Sequence, residues 1–250
     1  GSLIIAGPLE KSNPERLLQL LEEEAVSTAI FTPAFLQLLD KHPLPTLRHI
    51  ISTGEAAALR ETLYYARTKA FYNGYGPSEA CIGATFHKVD PQRAADYQRR
   101  GSILIGEPFK NTRVYILDGQ HRLLPQGAAG EIAIAGLGLT EGYLDRPDLT
   151  AKKFITNPFA QADDERRLYL SGDLGRWTEA GELEFLGRID EQVQIRGIRV
   201  ELREIEHRIA QHPDVKEVRV LARSDARQQT VLIAYFTSAV GCRTAETLRD

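Results

Sequence analysis

Residues 13–72 alternate helix-like and strand-like segments at a spacing that leaves few architectures open. Asn13 before Pro14 is a helix-start signal: the Asn side chain can take orphan backbone N–H groups, and Pro suits the first helical position. Leu17, Leu18, Leu20 and Leu21 give the segment running to about residue 24 an apolar stripe. Residues 26–31 are rich in apolar and β-branched side chains and predict a buried strand. Residues 33–39 predict a short helix, 47–52 a strand, 56–67 a helix and 70–72 a further strand. Strand–helix–strand alternation of this kind predicts an α/β fold with a parallel, helix-covered sheet.

From about Ile103 the pattern changes. Residues 112–117, 132–135, 175–178 and 183–186 predict short strands separated by Gly, Pro and Asp turns, with a helix over 148–154. They predict a small, mostly antiparallel or barrel-like subdomain. After Arg188 a third pattern begins: a strand at 193–195, a helix at 202–211, and strands at 215–222 and 231–236, which read as a small α+β unit. A length of 250 residues suffices for one or two domains. A net charge of −3 gives no electrostatic case for nucleic acid or an anionic membrane. No apolar run is long enough for a membrane span, and the first residues carry no basic region or cleavage-type segment. Cys81 and Cys242 lack metal-ligand spacing, and a reduced, cytoplasmic setting fits them. Methionine is absent, even at position 1, so the expectation is a processed chain or an internal piece of a longer polypeptide.

Four segments carry candidate chemistry. The first, Asn73-Gly74-Tyr75-Gly76-Pro77-Ser78-Glu79, follows a strand. Its glycines permit close backbone approach and Pro77 stiffens the turn. Such a turn can lay Tyr75 against a ring, aim the Ser78 hydroxyl at a phosphate and let Glu79 hold Mg²⁺ beside phosphate oxygens. Standing alone, it is explained as well by a simple turn with a surface Glu. The second segment, Gly130-Glu131-Ile132-Ala133-Ile134-Ala135-Gly136, and the nearby run 138–143 offer no obvious acid or base and read as structural, with Tyr143 packed. The third, Tyr169-Leu170-Ser171-Gly172-Asp173-Leu174, places Asp173 in a turn after a short strand. A carboxylate there can accept from two ribose hydroxyls, or can simply close an Asx turn. The fourth runs from Gly187-Arg188-Ile189-Asp190 through Gln192-Val193-Gln194-Ile195-Arg196-Gly197 to Val200-Glu201-Leu202. Upstream of these, Ser52-Thr53-Gly54-Glu55 sits between a strand and a helix, where parallel sheets bind ligands and where helix caps are equally common. The six histidines, His42, His49, His87, His121, His207 and His212, form no metal-like cluster; His87 falls nearest these segments, and a packed or exposed side chain is the simpler reading.

Together the four segments resemble the adenylation domains of non-ribosomal peptide synthetases, within the wider adenylate-forming superfamily of acyl-CoA synthetases and luciferases, along nearly the whole chain. The resemblance implies that residues 1–189 are the C-terminal part of a large adenylate-forming core. Residues 190–250 would begin a mobile C-terminal subdomain, with Asp190 as hinge. It implies ATP and Mg²⁺. Tyr75 would stack on adenine, Ser78 contact phosphate, Glu79 support the metal, and Asp173 hold the ribose with Arg188 as the cation beside ribose or phosphate. Gly54, Asn73, Gly74 and Phe185 would complete the nucleotide site. Ser78 and Ser171 stand where the family usually has Thr, and Phe185 where it often has Tyr. Gln194 replaces a common Lys, which puts a charge contact to the carrier arm in doubt, and Arg203 replaces a common Gly or Glu. Gly197 would let a phosphopantetheine arm approach.

The family's substrate pocket falls on Ile30, Ile51, Thr53, Gly74, Ile82 and Gly83. None is charged and two glycines leave room, so the expected substrate is a carboxylate with a fairly large apolar side chain, aromatic ones included. The expected substrate is an amino, hydroxy or keto acid. The expected activity is ATP-dependent formation of an acyl-AMP, then thioester transfer to a peptidyl carrier protein domain, beside condensation and other synthetase domains. The family's phosphate loop and late Gly-Lys motif are not among these residues, so the isolated chain is expected to adenylate weakly or not at all. An acyl- or aryl-CoA synthetase of the same superfamily, or a non-catalytic module that docks a carrier, stands as the alternative.

Overall fold

The computed structural model describes residues 1–190, 192–195, 198–224 and 230–238. The chain divides into two compact units, Gly1–Asp190 and Glu191–Asp250.

The first unit opens with helices α1 (Pro8–Ser12) and α2 (Pro14–Glu23), and Asn13 caps α2 by accepting from the backbone N–H groups of Glu15 and Arg16. Leu17 and Leu21, one turn apart, are its buried positions. Strands β1 (Thr28–Phe31), β2 (His49–Ser52) and β3 (Ala70–Tyr75) pair in parallel, linked by α3 (Pro33–Leu38) and α4 (Leu59–Ala66). Two antiparallel strands extend this sheet, β4 (Thr85–Lys88) and β5 (Glu107–Pro108), with α5 (Ala94–Arg100) between them. The parallel arrangement read from the sequence therefore covers β1–β3 only. Period-2 alternation sends Phe31, Ile50 and Phe71 into one core with Leu36, Tyr65 and Tyr97. The same alternation places Ile30, Ile51 and Tyr72 in register on the other face.

The second sheet runs in the order β10 (Leu183–Arg188), β9 (Arg167–Trp177), β7 (Gly130–Gly136), β6 (Thr112–Leu117), all antiparallel, with β8 (Phe154–Thr156) also on β9 and α6 (Pro147–Lys153) leading into β8. Ile116, Ile132, Ile134, Phe154, Tyr169 and Leu183 form its core. The sheets are fastened by the Leu183 N–H and carbonyl on Gly106, and by Arg93–Glu182 and Arg100–Glu184 ion pairs at 2.9 and 3.1 Å. One expectation fails here. Residues 169–178 are not a turn followed by a short strand; most of them belong to one strand of 11 residues. Gly172, at φ +76°, makes a bulge inside it, and the pairing with β7 shifts between Glu131 and Ala133.

The second unit holds a hairpin of β11 (Val193–Ile195) and β12 (Ile198–Val200), helix α7 (Leu202–Ala210) and a long hairpin of β13 (Val215–Ser224) and β14 (Thr230–Ser238). Gln192 donates to Glu201 across the first hairpin. Arg196, Gly197, Cys242 and the Gln194 side chain lie outside the described residues. No helix of the described residues is long and apolar enough to cross a membrane.

Candidate nucleotide site

Tyr75 ends β3 and enters a compact turn that returns as β4. The Ala84 N–H donates to the Tyr75 carbonyl at 2.8 Å, and Cys81 and Ile82 take left-handed backbone at φ 52° and 65°. Gly76 is required at the crossing, because a Cβ there would lie 2.6 Å from the Ala84 nitrogen and 2.7 Å from the Ile82 carbonyl. The turn brings Tyr75 to β9, where its hydroxyl donates to Asp173 Oδ2 at 2.6 Å.

Asp173 is only 6% exposed, and its other oxygen accepts from Arg188 on β10 at 2.7 Å. Arg188 extends the chain of charge: its Nε and Nη2 donate to Asp190 at 2.7 and 2.6 Å, a two-point fork on one carboxylate. The bulge makes this possible, because a Cβ on residue 172 would lie 2.8 Å from an Arg188 nitrogen. Gly172 donates its N–H to Glu131 Oε1 at 2.8 Å, and the Ser171 hydroxyl donates to the Ile132 carbonyl while accepting from the Asp173 N–H. Burial, reinforced by the Asp173 charge, pushes the Tyr75 phenol well above its ordinary pKa, so it stays a proton donor. Partial burial disfavours the Arg188 charge, but hydrogen bonding and attraction from Asp190 and Asp173 outweigh it and move the pKa up. Phe185 faces the same corner, its ring centroid 6.2 Å from that of Tyr75 at a 40° tilt. Gly54, in left-handed backbone, follows β2 on the neighbouring strand.

Glu79 stands on a 3-10 turn (Ser78–Ala80), 7% exposed, while Ser78 is exposed beside it. Its carboxylate accepts from the Tyr143 hydroxyl at 2.6 Å. Tyr143 is packed against the core, as read from its segment, and in addition its hydroxyl reaches Glu79, while Glu131 takes the Gly172 N–H beside Asp173. The signal that could have found Tyr143 is weak: Gly142-Tyr143 lies 64 positions from its partner, and no periodicity links them. No group of three or more His, Cys, Asp or Glu among the described residues could hold a metal ion. One buried, oriented carboxylate beside an exposed hydroxyl instead suits Mg²⁺ held mostly by phosphate oxygens and water.

Not every predicted site residue joins this group. Asn73, 3% exposed, points to the core face, and its amide donates to the Leu104 carbonyl at 2.8 Å, which ties β3 to the segment leading into β5. The room expected at the two pocket glycines is taken: a Cβ at Gly74 would lie 2.9 Å from the Phe86 ring, and one at Gly83 would lie 3.0 Å from the Phe109 ring. Ile30 and Ile82 are each 67% exposed, and Ile51 and Thr53 are half-buried. His87 is packed, between the Tyr97 hydroxyl at 2.8 Å and Glu182 at 3.0 Å.

Residues 1–144 match the family described as AMP-binding enzyme. A linear gramicidin synthase from Brevibacillus parabrevis is 44% identical over 226 residues, 90% of this chain and 3% of that protein. Bacitracin synthase 3 from Bacillus licheniformis is 39% identical over 239 residues, 95% of this chain and 4% of that protein. The chain thus spans a small fraction of these relatives. Among solved structures, a holo NRPS protein containing adenylation and PCP domains, bound to a vinylsulfonamide inhibitor, superimposes with a TM-score of 0.83 at 29% identity, over 94% of this chain and 40% of that one. With its match over residues 1–144, the chain belongs to the family of AMP-binding enzymes.

Proposed function

We propose that this chain is the nucleotide-gripping part of an adenylate-forming ligase of the non-ribosomal peptide synthetase type. The observation that carries the reading is the Tyr75–Asp173–Arg188 cluster, three side chains from three strands meeting on one buried carboxylate. A carboxylate offers about four acceptor sites, which suits it to accept from a pair of ribose hydroxyls. Tyr75 and Phe185 supply ring faces beside it.

In the proposed reaction, a substrate carboxylate oxygen attacks the α-phosphorus of ATP, and the bond to the β-phosphate breaks. The products are acyl-AMP and pyrophosphate. A carrier-arm thiol then attacks the acyl carbon, giving a thioester, AMP and a proton. Ser78 contacts phosphate, Glu79 holds Mg²⁺, and Arg188 balances charge beside the ribose. Mg²⁺ supplies charge neutralisation of the phosphate oxygens. Asp190 acts as hinge, which the division of the chain after that residue supports. The substrate is a carboxylate with an apolar side chain, an amino acid by analogy with the synthetases the chain resembles. The acceptor is a phosphopantetheine-bearing carrier protein, and the proposed setting is the cytoplasm.

The test is pyrophosphate exchange into ATP across a panel of amino, hydroxy and keto acids, using the longest natural polypeptide that carries these residues. Exchange with one substrate class, cut about 100-fold by Asp173→Ala through loss of charge-assisted hydrogen bonds, is the expected result. Transfer to coenzyme A in preference to a carrier protein would favour the CoA-synthetase alternative. A folded protein without exchange would point to a docking module.

A further inference from the structure

The contact between Tyr143 and Glu79 has a built support around it. The loop that follows β7 is tied at four points. The Thr140 N–H donates to the Glu79 carbonyl at 2.9 Å, so the loop holds the backbone of the residue whose side chain Tyr143 holds. Arg167 donates to the Thr140 and Glu141 carbonyls, each at 2.8 Å, with its guanidinium 4.7 Å from the Phe154 ring centroid. The Tyr143 N–H donates to Thr150 Oγ1 at 2.9 Å, on helix α6. The Tyr143 ring meets Phe154 edge-on at 5.9 Å. Backbone, ring and hydroxyl of Tyr143 are therefore each fixed by a different element.

One hydroxyl at 2.6 Å fixes the torsion of an otherwise rotatable carboxylate. A carboxylate carries two oxygens, and an oxygen ligand of this kind is what a divalent cation beside phosphates takes. Partners of this kind set the direction of a ligand to a metal. We propose that Tyr143 is a positioning residue, whose hydroxyl holds the Glu79 carboxylate in the orientation from which it takes the divalent cation that accompanies the phosphates of ATP. The inference rests on the reading of Glu79 under Proposed function.

The test reads binding rather than turnover. The melting temperature of the longest natural polypeptide carrying these residues is followed as Mg²⁺ is titrated at fixed ATP, and separately with AMP and no metal. Tyr143→Phe keeps the ring and removes the hydroxyl. The expected result is a roughly tenfold rise in the Mg²⁺ concentration for half-maximal stabilisation by ATP, the usual size for loss of a ligand's supporting hydrogen bond. The AMP-induced rise over each protein's own ligand-free melting temperature should stay at the wild-type value, while that ligand-free temperature falls with the hydrogen bond lost to a buried carboxylate. In a Glu79→Gln background, Tyr143→Phe should add no further shift, because the two act as one unit. A wild-type Mg²⁺ midpoint in Tyr143→Phe overturns the inference. So does a parallel loss of AMP stabilisation, which marks a purely structural residue, and so does an undiminished effect in the Glu79→Gln background. Failure of ATP and AMP to stabilise the wild-type protein at all overturns the nucleotide reading itself, and Tyr143's role falls with it.

Discussion

The corner around Asp173 and the sheet face around Ile30 differ in how they are held. At Asp173, directional contacts converge: Tyr75 on one oxygen, Arg188 on the other, Asp190 behind Arg188, and Glu131 on the neighbouring N–H. The face bearing Ile30, Ile51 and Tyr72 is apolar and partly open, and Phe86 and Phe109 rings fill the space beside its glycines. Directional polar contacts name a ligand group, because each donor demands an acceptor of set geometry. An apolar face sets only size and greasiness. The molecule therefore says far more about the proposed nucleotide than about the proposed acid substrate.

That contrast can be broken or sharpened by substitution. The largest expected effect is at Arg188. Arg188→Ala leaves the Asp173 charge without its cation and should cost about 3 kcal/mol, lowering the melting temperature and weakening nucleotide binding together. Gly76→Ala is next: it forces a Cβ into the Ala84 and Ile82 backbone and should cost about 2 kcal/mol in a denaturant titration, leaving the Asp173 contacts to be tested in whatever fraction stays folded. Tyr75→Phe keeps the ring and removes one donor, and should weaken AMP binding about tenfold in calorimetry.

A pH effect separates the site from the frame. Burial holds the His87 imidazole below its ordinary pKa, against the pull of Glu182. A depressed folded-state value means stability that is complete above the unfolded pKa of about 6.5 and is lost as pH falls through and below it. The melting temperature should therefore drop between about pH 7.5 and about pH 5.5, and His87→Gln should flatten the slope. The smallest effect belongs to the open face. Ile30→Thr should change stability by less than about 0.5 kcal/mol and leave AMP binding alone while altering the preferred acid in an exchange panel.

Much of this is legible in the chain. Asn13-Pro14 starts α2 where the capping rule puts it, and β6 has the predicted bounds, because local rules set both. Asp173, Arg188 and Tyr75 are legible as candidates because Gly-rich segments carry short-range signals. Their meeting is not, since Tyr75 and Asp173 lie 98 positions apart. The bulge at Gly172 reads as a turn because Gly-Asp serves both, and only the neighbouring strand β7 decides between them. Strand β4 and helix α5 leave little trace in the sequence: the first alternates a single phenylalanine with polar residues, and the second buries only Tyr97. Tyr143 is hidden by distance in sequence from the carboxylate it holds.

We propose that the buried carboxylate of Asp173, gripped by Tyr75 and Arg188, is the ribose anchor. Calorimetric binding of a non-hydrolysable acyl-adenylate mimic to the wild-type protein and to Asp173→Asn tests it most directly. The wild type should bind tightly and the variant about 100-fold more weakly, with the fold intact by circular dichroism. Equal binding by both, or none by the folded wild type, would contradict it.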